Sequence, residues 1–237
     1  MNITLAHEHR WDLSPYEAQQ VQKSLQARVL EESSDEPIAT VAGIEIAHSR
    51  FQDTLVAAVS LLRFPDMNVI EEATVEYRST FPYIPGLLSF REVPAVVAAL
   101  ERLSELPDLL LVDGPGIAHP HKLGVASHLG VLLDRPTIGC SRSVLVGSYV
   151  EPEVTAGSQS ALVWQGEIIG TVYRSKNRVA PLFISVGHRT TRIRAQELVA
   201  ACCQGYRLPE PTRHAHVALN HARSDLKTAG AAAEGIV

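Results

Sequence analysis

The sequence predicts a single α/β domain in which a mixed sheet is flanked by helices. Three observations carry this. The chain has 237 residues, 46% of them hydrophobic and 20% charged, enough for one large buried core. One helical stretch precedes three successive strand-like runs, after which helices and strands alternate. That order suits an antiparallel meander joined to parallel crossovers. Finally, Leu109-Leu110-Leu111-Val112 is a continuous apolar run, the pattern of a strand buried on both faces.

Each element has its own signal. From Ser14 to Leu30 the residues Leu13, Val21, Leu25 and Val29 fall on one helical face, and Glu31 to Pro37 reads as an acidic linker. Thr40–Ala47 is a strand with Glu45 inside it. Thr54–Phe64 and Val69–Tyr77 are two more, joined by the turn Pro65-Asp66-Met67-Asn68. A helical pattern begins near Pro94 and runs from Val93 to Leu103. After the apolar run come a helix over Leu123–Leu133 and a short strand over Pro136–Cys140. Strands then follow over Ala161–Trp164, Glu167–Tyr173 and Leu182–Val186. A last helix spans Thr191–Gln204 and stops at Gly205. These elements divide the chain into an N-terminal helical segment over 1–36, packed on a core over 37–222. A tail over 223–237, rich in Ala and Gly from Thr228, reads as mobile.

The net charge of −5 argues against a sequence-blind coat on nucleic acid. The charge is uneven, however. Between Thr171 and His214 stand eight Arg/Lys and two acids, Glu197 and Glu210, which is either a solvated face or a local phosphate-binding face. The three cysteines, Cys140, Cys202 and Cys203, form neither a disulfide framework nor a zinc spacing, which points to a reducing compartment. With no signal-peptide layout and no apolar run of membrane-spanning length, the expectation is a cytoplasmic protein, monomeric and without a membrane partner.

Two acids stand where chemistry is expected. Asp113 directly follows the apolar run and leads into Gly114-Pro115-Gly116. In α/β sheets ligands gather at the carboxyl ends of strands, although an Asp that merely starts a turn is common. Glu45 interrupts Val41–Ala47, and an acid in a central strand is costly to bury without a partner or a metal; on an edge strand it would face water. A third acid, Glu92, comes after Thr80-Phe81-Pro82-Tyr83-Ile84-Pro85-Gly86-Leu87-Leu88-Ser89-Phe90-Arg91. That stretch is too apolar for an ordinary surface loop and too rich in Pro and Gly for a regular element. Pro82 and Pro85 fix φ at two points, so Tyr83 and Ile84 are held on a stiff loop that delivers Glu92 at a helix entrance. Three carboxylates from separate segments suit Mg²⁺, which is hard and takes oxygen ligands.

Pro82-Tyr83-Ile84-Pro85-Gly86 followed by Phe90-Arg91-Glu92 resembles the endonuclease V family, which nicks DNA, and in some members RNA, near inosine. Asp113-Gly114, Gly116-Ile117-Ala118-His119-Pro120 and Lys122 to His128 are similar to the family's second motif. Pro181–Ser185 with Gly187-His188, and Arg207–Arg213 with His216, are similar to two further segments. The resemblance runs from about Val41 to His216 and implies an RNase H-like fold. It implies Mg²⁺ as cofactor, with Mn²⁺ as a substitute, and inosine-containing DNA, or RNA, as the partner. It implies Glu45, Asp113 and Glu92 as metal ligands, and His216 and Arg142 as further catalytic side chains. The expected cut is on the 3′ side of inosine, at the second phosphodiester bond. Tyr83 and Ile84, with Pro85, would form a wedge that unstacks the base, and Gly86, Leu88, Gly114 and His119 would line its pocket.

Two residues depart from the family pattern. Gly43-Ile44-Glu45 replaces Gly-x-Asp, which moves the carboxylate on the order of an ångström. Arg142, after Gly139-Cys140-Ser141, stands where members have a Lys, a planar fork in place of a compact ammonium. A lesion-binding protein that no longer cuts is therefore the rival expectation. A small-molecule α/β hydrolase is discounted, because Gly157-Ser158-Gln159-Ser160 supplies no nucleophile elbow. Trp11, Trp164 and Tyr173 read as core residues, and His7, His9, His214 and His221 as surface or hydrogen-bonded histidines.

Overall fold

The computed structural model describes residues 1–33, 37–47 and 53–234, with backbone alone over 225–234. Part of the expected acidic linker, Ser34 to Glu36, lies outside the described residues. The strands are β1 (Thr40–Ala47), β2 (Thr54–Arg63), β3 (Val69–Arg78), β4 (Leu109–Val112), β5 (Thr137–Ser141), β6 (Gln159–Trp164), β7 (Glu167–Tyr173) and β8 (Leu182–His188). The helices are α1 (Pro15–Gln26), α2 (Leu88–Leu100), α3 (Val125–Leu133), α4 (Arg192–Ala201) and α5 (Glu210–Glu234). One eight-stranded sheet has the order β3-β2-β1-β4-β5-β8-β7-β6.

The expected meander is β3-β2-β1, antiparallel throughout, and β1, β4 and β5 then run parallel. Beyond them the sheet returns to antiparallel pairing through β8, β7 and β6, so it carries a meander on both sides. Strand alternation sorts the core into two layers. Ala42 and Ile44 of β1, with Leu110 and Val112 of β4, face α2 and α3. Val41 of β1, with Leu109 and Leu111 of β4, packs with Ala195, Leu198 and Val199 of α4. Val56 and Ala58 of β2 meet Leu219 of α5 on that second face.

Several boundaries differ from the sequence expectation, for local reasons. Helix α1 is shorter than expected. It opens on a capping box in which Ser14 and Glu17 satisfy each other's backbone donors, with Pro15 in its first turn. Helix α2 begins at Leu88, well before Pro94, so Glu92 sits inside the helix and not at its entrance. Pro94 is an interior proline, which removes one backbone donor without ending the helix. Residues 206–227 have no expected element, yet α5 starts at Glu210 and continues through much of the expected tail to Glu234. Pro209 and Pro211 invite a loop reading, but proline is tolerated in a first helical turn.

Candidate active site

Three parallel strands end at the same edge of the sheet, and the site is built there. Ile44 pairs with Val112, and Val112 with Gly139, so the residues just beyond these positions are neighbours across the strands. Alternation turns Glu45 toward the face that carries α5. Glu45 is only 4% exposed, because β1 is a central strand between β2 and β4. It is not an edge residue facing water. Gly43 lets α5 approach: a Cβ there would lie 1.9 Å from the Pro211 carbonyl oxygen. This close docking brings His216, one turn along α5, to Glu45, with Nδ1 3.1 Å from Oε1. Asn220 Nδ2 lies 3.0 Å from His216 Nε2. The amide donates there, so Nδ1 carries the proton and donates to Glu45.

Arg142, just past β5, closes the group. Its Nη2 is 2.8 Å from Glu45 Oε1 and 2.6 Å from Asp113 Oδ2. Two carboxyls this close disfavour each other's ionisation. Asp113 is pushed up to about 8, first by burial and then by the hydrogen bond and charge of Glu45. Arg142 and His216 pull the other way without offsetting it.

The donor set fits one hard divalent cation held by Glu45 and Asp113. Both are carboxylates, and Glu45 Oε2 is buried with no hydrogen-bond partner among the described residues. Glu92, the expected third ligand, lines the same cavity as Asp113, although no three His, Cys, Asp or Glu side chains group as a metal site among the described residues. One guanidinium nitrogen of Arg142 spans the two strand-end carboxyls.

That cavity, of about 420 Å³, brings together most of the residues singled out from the sequence. Tyr83, Pro85, Gly86, Leu88, Glu92, Asp113, Gly114, His119 and Arg142 all line it. Ile84 does not. It is half-buried against Phe81, Leu87 and Phe90, which anchor the loop from behind. Arg91 Nη1 fastens the loop's start with a 2.8 Å bond to the Phe81 carbonyl. Gly86 at φ +84 makes the turn into α2. His119 is buried and its imidazole is pushed down to about 4, first by burial and then by His121. It accepts the His121 N–H at Nδ1, 3.2 Å away, so Nε2 bears its proton. Sequence reading missed Ser89, Val125, Ser143 and Leu145, which also line the cavity. Ser89 and Val125 fall inside quoted motif stretches without a role of their own, and Ser143 and Leu145 had no signal beyond following Arg142.

Half of the basic stretch is spent on the chain itself. Arg174 is buried and donates to the Glu153 and Pro152 carbonyls and to Glu151. Arg207 holds the Ala180, Pro181 and Arg142 carbonyls. Arg189 pairs with Asp134, and Arg213 with Glu210. Lys176, Arg178, Arg192 and Arg194 stay exposed, so a solvated or phosphate-binding face is confined to these four, since a guanidinium already satisfied by the chain has little left for a phosphate.

A sequence model described as Endonuclease V matches residues 22–217. An endonuclease V of Dehalococcoides mccartyi is 48% identical over 218 residues, covering 92% of this chain and 98% of that one. The crystal structure of the endonuclease V from Streptomyces avermitilis superposes with a TM-score of 0.85 at 38% identity, covering 92% of this chain and 96% of that one. Ciona intestinalis endonuclease V, crystallised with a 24mer DNA containing an inosine followed by a ribo-adenosine, gives a TM-score of 0.77 at 25% identity. It covers 90% of this chain and 98% of that one.

Proposed function

This chain belongs to the endonuclease V family, and from that premise we propose that it is a Mg²⁺-dependent endonuclease acting on inosine-containing DNA. The cut falls on the 3′ side of inosine at the second phosphodiester bond, with RNA as a further substrate and Mn²⁺ as a substitute ion. The fold is RNase H-like. One observation carries the reading: paired carboxyls at adjacent parallel strand ends, Glu45 and Asp113, beside a cavity walled by Tyr83 and His119. Its similarity to a protein crystallised with inosine-containing DNA supports the choice of substrate. The three free cysteines support a reducing, cytoplasmic compartment, and the proposal takes the protein as a monomer.

The roles follow from the geometry. Glu45 and Asp113 would hold the ion, with Glu92 as a further carboxylate from the cavity wall. Bound there, Mg²⁺ supplies charge that offsets the negative charge developing on the attacking and leaving oxygens. His216 fixes the Glu45 carboxylate through Nδ1 and is itself fixed by Asn220. Arg142 presents a permanent positive charge beside the scissile phosphate. Tyr83 takes the place of the extruded base in the stack while the base enters the cavity. His119, neutral at pH 7, offers a donor that suits the O6 acceptor of hypoxanthine and opposes the amino group of adenine.

The test is a nicking panel of matched inosine- and adenosine-containing DNA and RNA with Mg²⁺. The wild type is expected to nick only the inosine strands, and Asp113→Ala to lose nicking while keeping its fold. Turnover at the wild-type rate in Asp113→Ala would remove the metal-site assignment. The second reading, a binder that does not cut, has in its favour Glu45 in place of Asp and the Arg142 bridge across both carboxyls. It predicts tight binding in Ca²⁺ with no nick in Mg²⁺.

A further inference from the structure

A second opening, of about 660 Å³, lies between α1 and the β6–β7 turn. It shares a wall with the cavity above. Gln22 of α1 lines it and donates a 2.7 Å hydrogen bond to the carbonyl of Gly86, which lines the cavity. His121 also lines it, and its ring stands 3.8 Å from where a Gly86 Cβ would be. Gly86, the Gln22 amide and the His121 ring all stand between the two spaces.

The lining has a particular chemistry. Trp164 is half-buried, packed on one side against the Leu162 and Phe183 cluster while lining the groove. Facing it, α1 presents a polar, amide-rich side with Gln19 and Lys23. Lys23 is exposed and makes no ion pair among the described residues, whereas Lys122 on the same rim is engaged by Glu167. Lys122 and Gln165 hold the backbone at φ 49 and 53, a left-handed conformation uncommon outside glycine, and both line this groove. An aromatic platform, a free ammonium and amides that both donate and accept make the combination that binds single-stranded nucleic acid: rings for bases, cations for phosphates. A purely apolar ligand would leave the glutamine amides and the ammonium unmet, and an acidic peptide would have no use for the indole.

We propose that this groove is a strand-binding track that receives the unpaired nucleotides flanking the extruded base, with Trp164 stacking on a base and Lys23 meeting a phosphate. This rests on the reading of the cavity as the inosine pocket. It adds a length requirement that the pocket alone does not impose.

The experiment measures binding in Ca²⁺ of single-stranded oligonucleotides that carry one inosine. They either end at the inosine or extend from it by six nucleotides on one side or the other. For the wild type, extension on one of the two sides should tighten binding by about a hundredfold. Trp164→Ala should cut that gain about tenfold, the scale of one lost base stack. Lys23→Ala should lower the salt slope of the extended strand by about one phosphate. Because Trp164→Ala disturbs packing, Lys23→Ala and Gln19→Ala, both on the exposed side of α1, repeat the test without touching the core. Quenching of wild-type tryptophan fluorescence by the extended strand, absent in Trp164→Phe, reports the stack directly. An equal gain on extension in the wild type and all variants would overturn the track while leaving the inosine pocket intact. A wild type that binds no inosine strand would overturn both.

Discussion

At the scale of single residues, Glu45 is the telling departure. Its Oε1 meets both Arg142 and His216, so the neighbours are set to the length of a glutamate. Glu45→Asp would draw the carboxylate back by about an ångström and strand both partners, and a shift of that size can cost about a hundredfold in rate. We therefore expect nicking to fall and the Mg²⁺ requirement to rise when rates are measured against Mg²⁺ concentration. Curves that coincide for wild type, Glu45→Asp and Glu45→Ala would mean that Glu45 holds no ion. Tyr83 belongs to a different function. It lines the cavity but carries no carboxylate to hold Mg²⁺, so Tyr83→Ala should hurt duplex substrates about tenfold more than single strands, where little unstacking is needed. Equal losses on both would return Tyr83 to loop packing.

Elements decide whether those residues meet. The contact of Gly43 with Pro211 is backbone against side-chain space, so Gly43→Ala must lift α5 off β1. The expected cost is about 1–3 kcal/mol in urea denaturation, with a loss of nicking because His216 leaves Glu45. An unchanged denaturation midpoint would show that α5 adjusts freely. This is also where sequence reading reached its limit. The buried strand β4 and its terminal Asp113 were legible, because a run of four apolar residues ending in Asp-Gly permits few other arrangements. The motif loop was legible for its prolines. The start of α2 and all of α5 were not, because Pro94, Pro209 and Pro211 signal a boundary locally and only tertiary packing overrules them. The Arg142 bridge joins positions 97 residues apart, and no local pattern encodes it.

Across the whole molecule, stability should depend on acid through buried imidazoles. His128 is fully buried, with Nδ1 2.9 Å from Ser89 Oγ and Nε2 2.9 Å from His9 Nε2. Burial, and then His9, hold it well below its ordinary value. The unfolded chain therefore binds a proton below about pH 6.5 that the folded chain does not, and stability falls as pH drops through that range. The slope is at most about 1.4 kcal/mol per pH unit for one group. Asp113, raised to about 8, acts in the opposite sense between its unfolded and folded values, so the wild-type curve mixes the two. The informative quantity is the difference in slope between wild type and His128→Asn from pH 7 to pH 5, by urea denaturation. A flatter curve for the variant is expected, and parallel curves would show that His128 is already free to protonate in the folded state.

The contact between Glu45 and His216 also sets a schedule. The two residues are 171 positions apart, so the strand bearing the first acid is synthesised long before the helix that steadies it. At about 5–20 residues per second, this interval is on the order of ten to thirty seconds. During it, a nascent chain can pair β1 with β2 and β4, but Glu45 has neither its imidazole nor the helix that covers Gly43. A protein able to cut nucleic acid would thus remain incomplete at its centre while still attached to the message that encodes it.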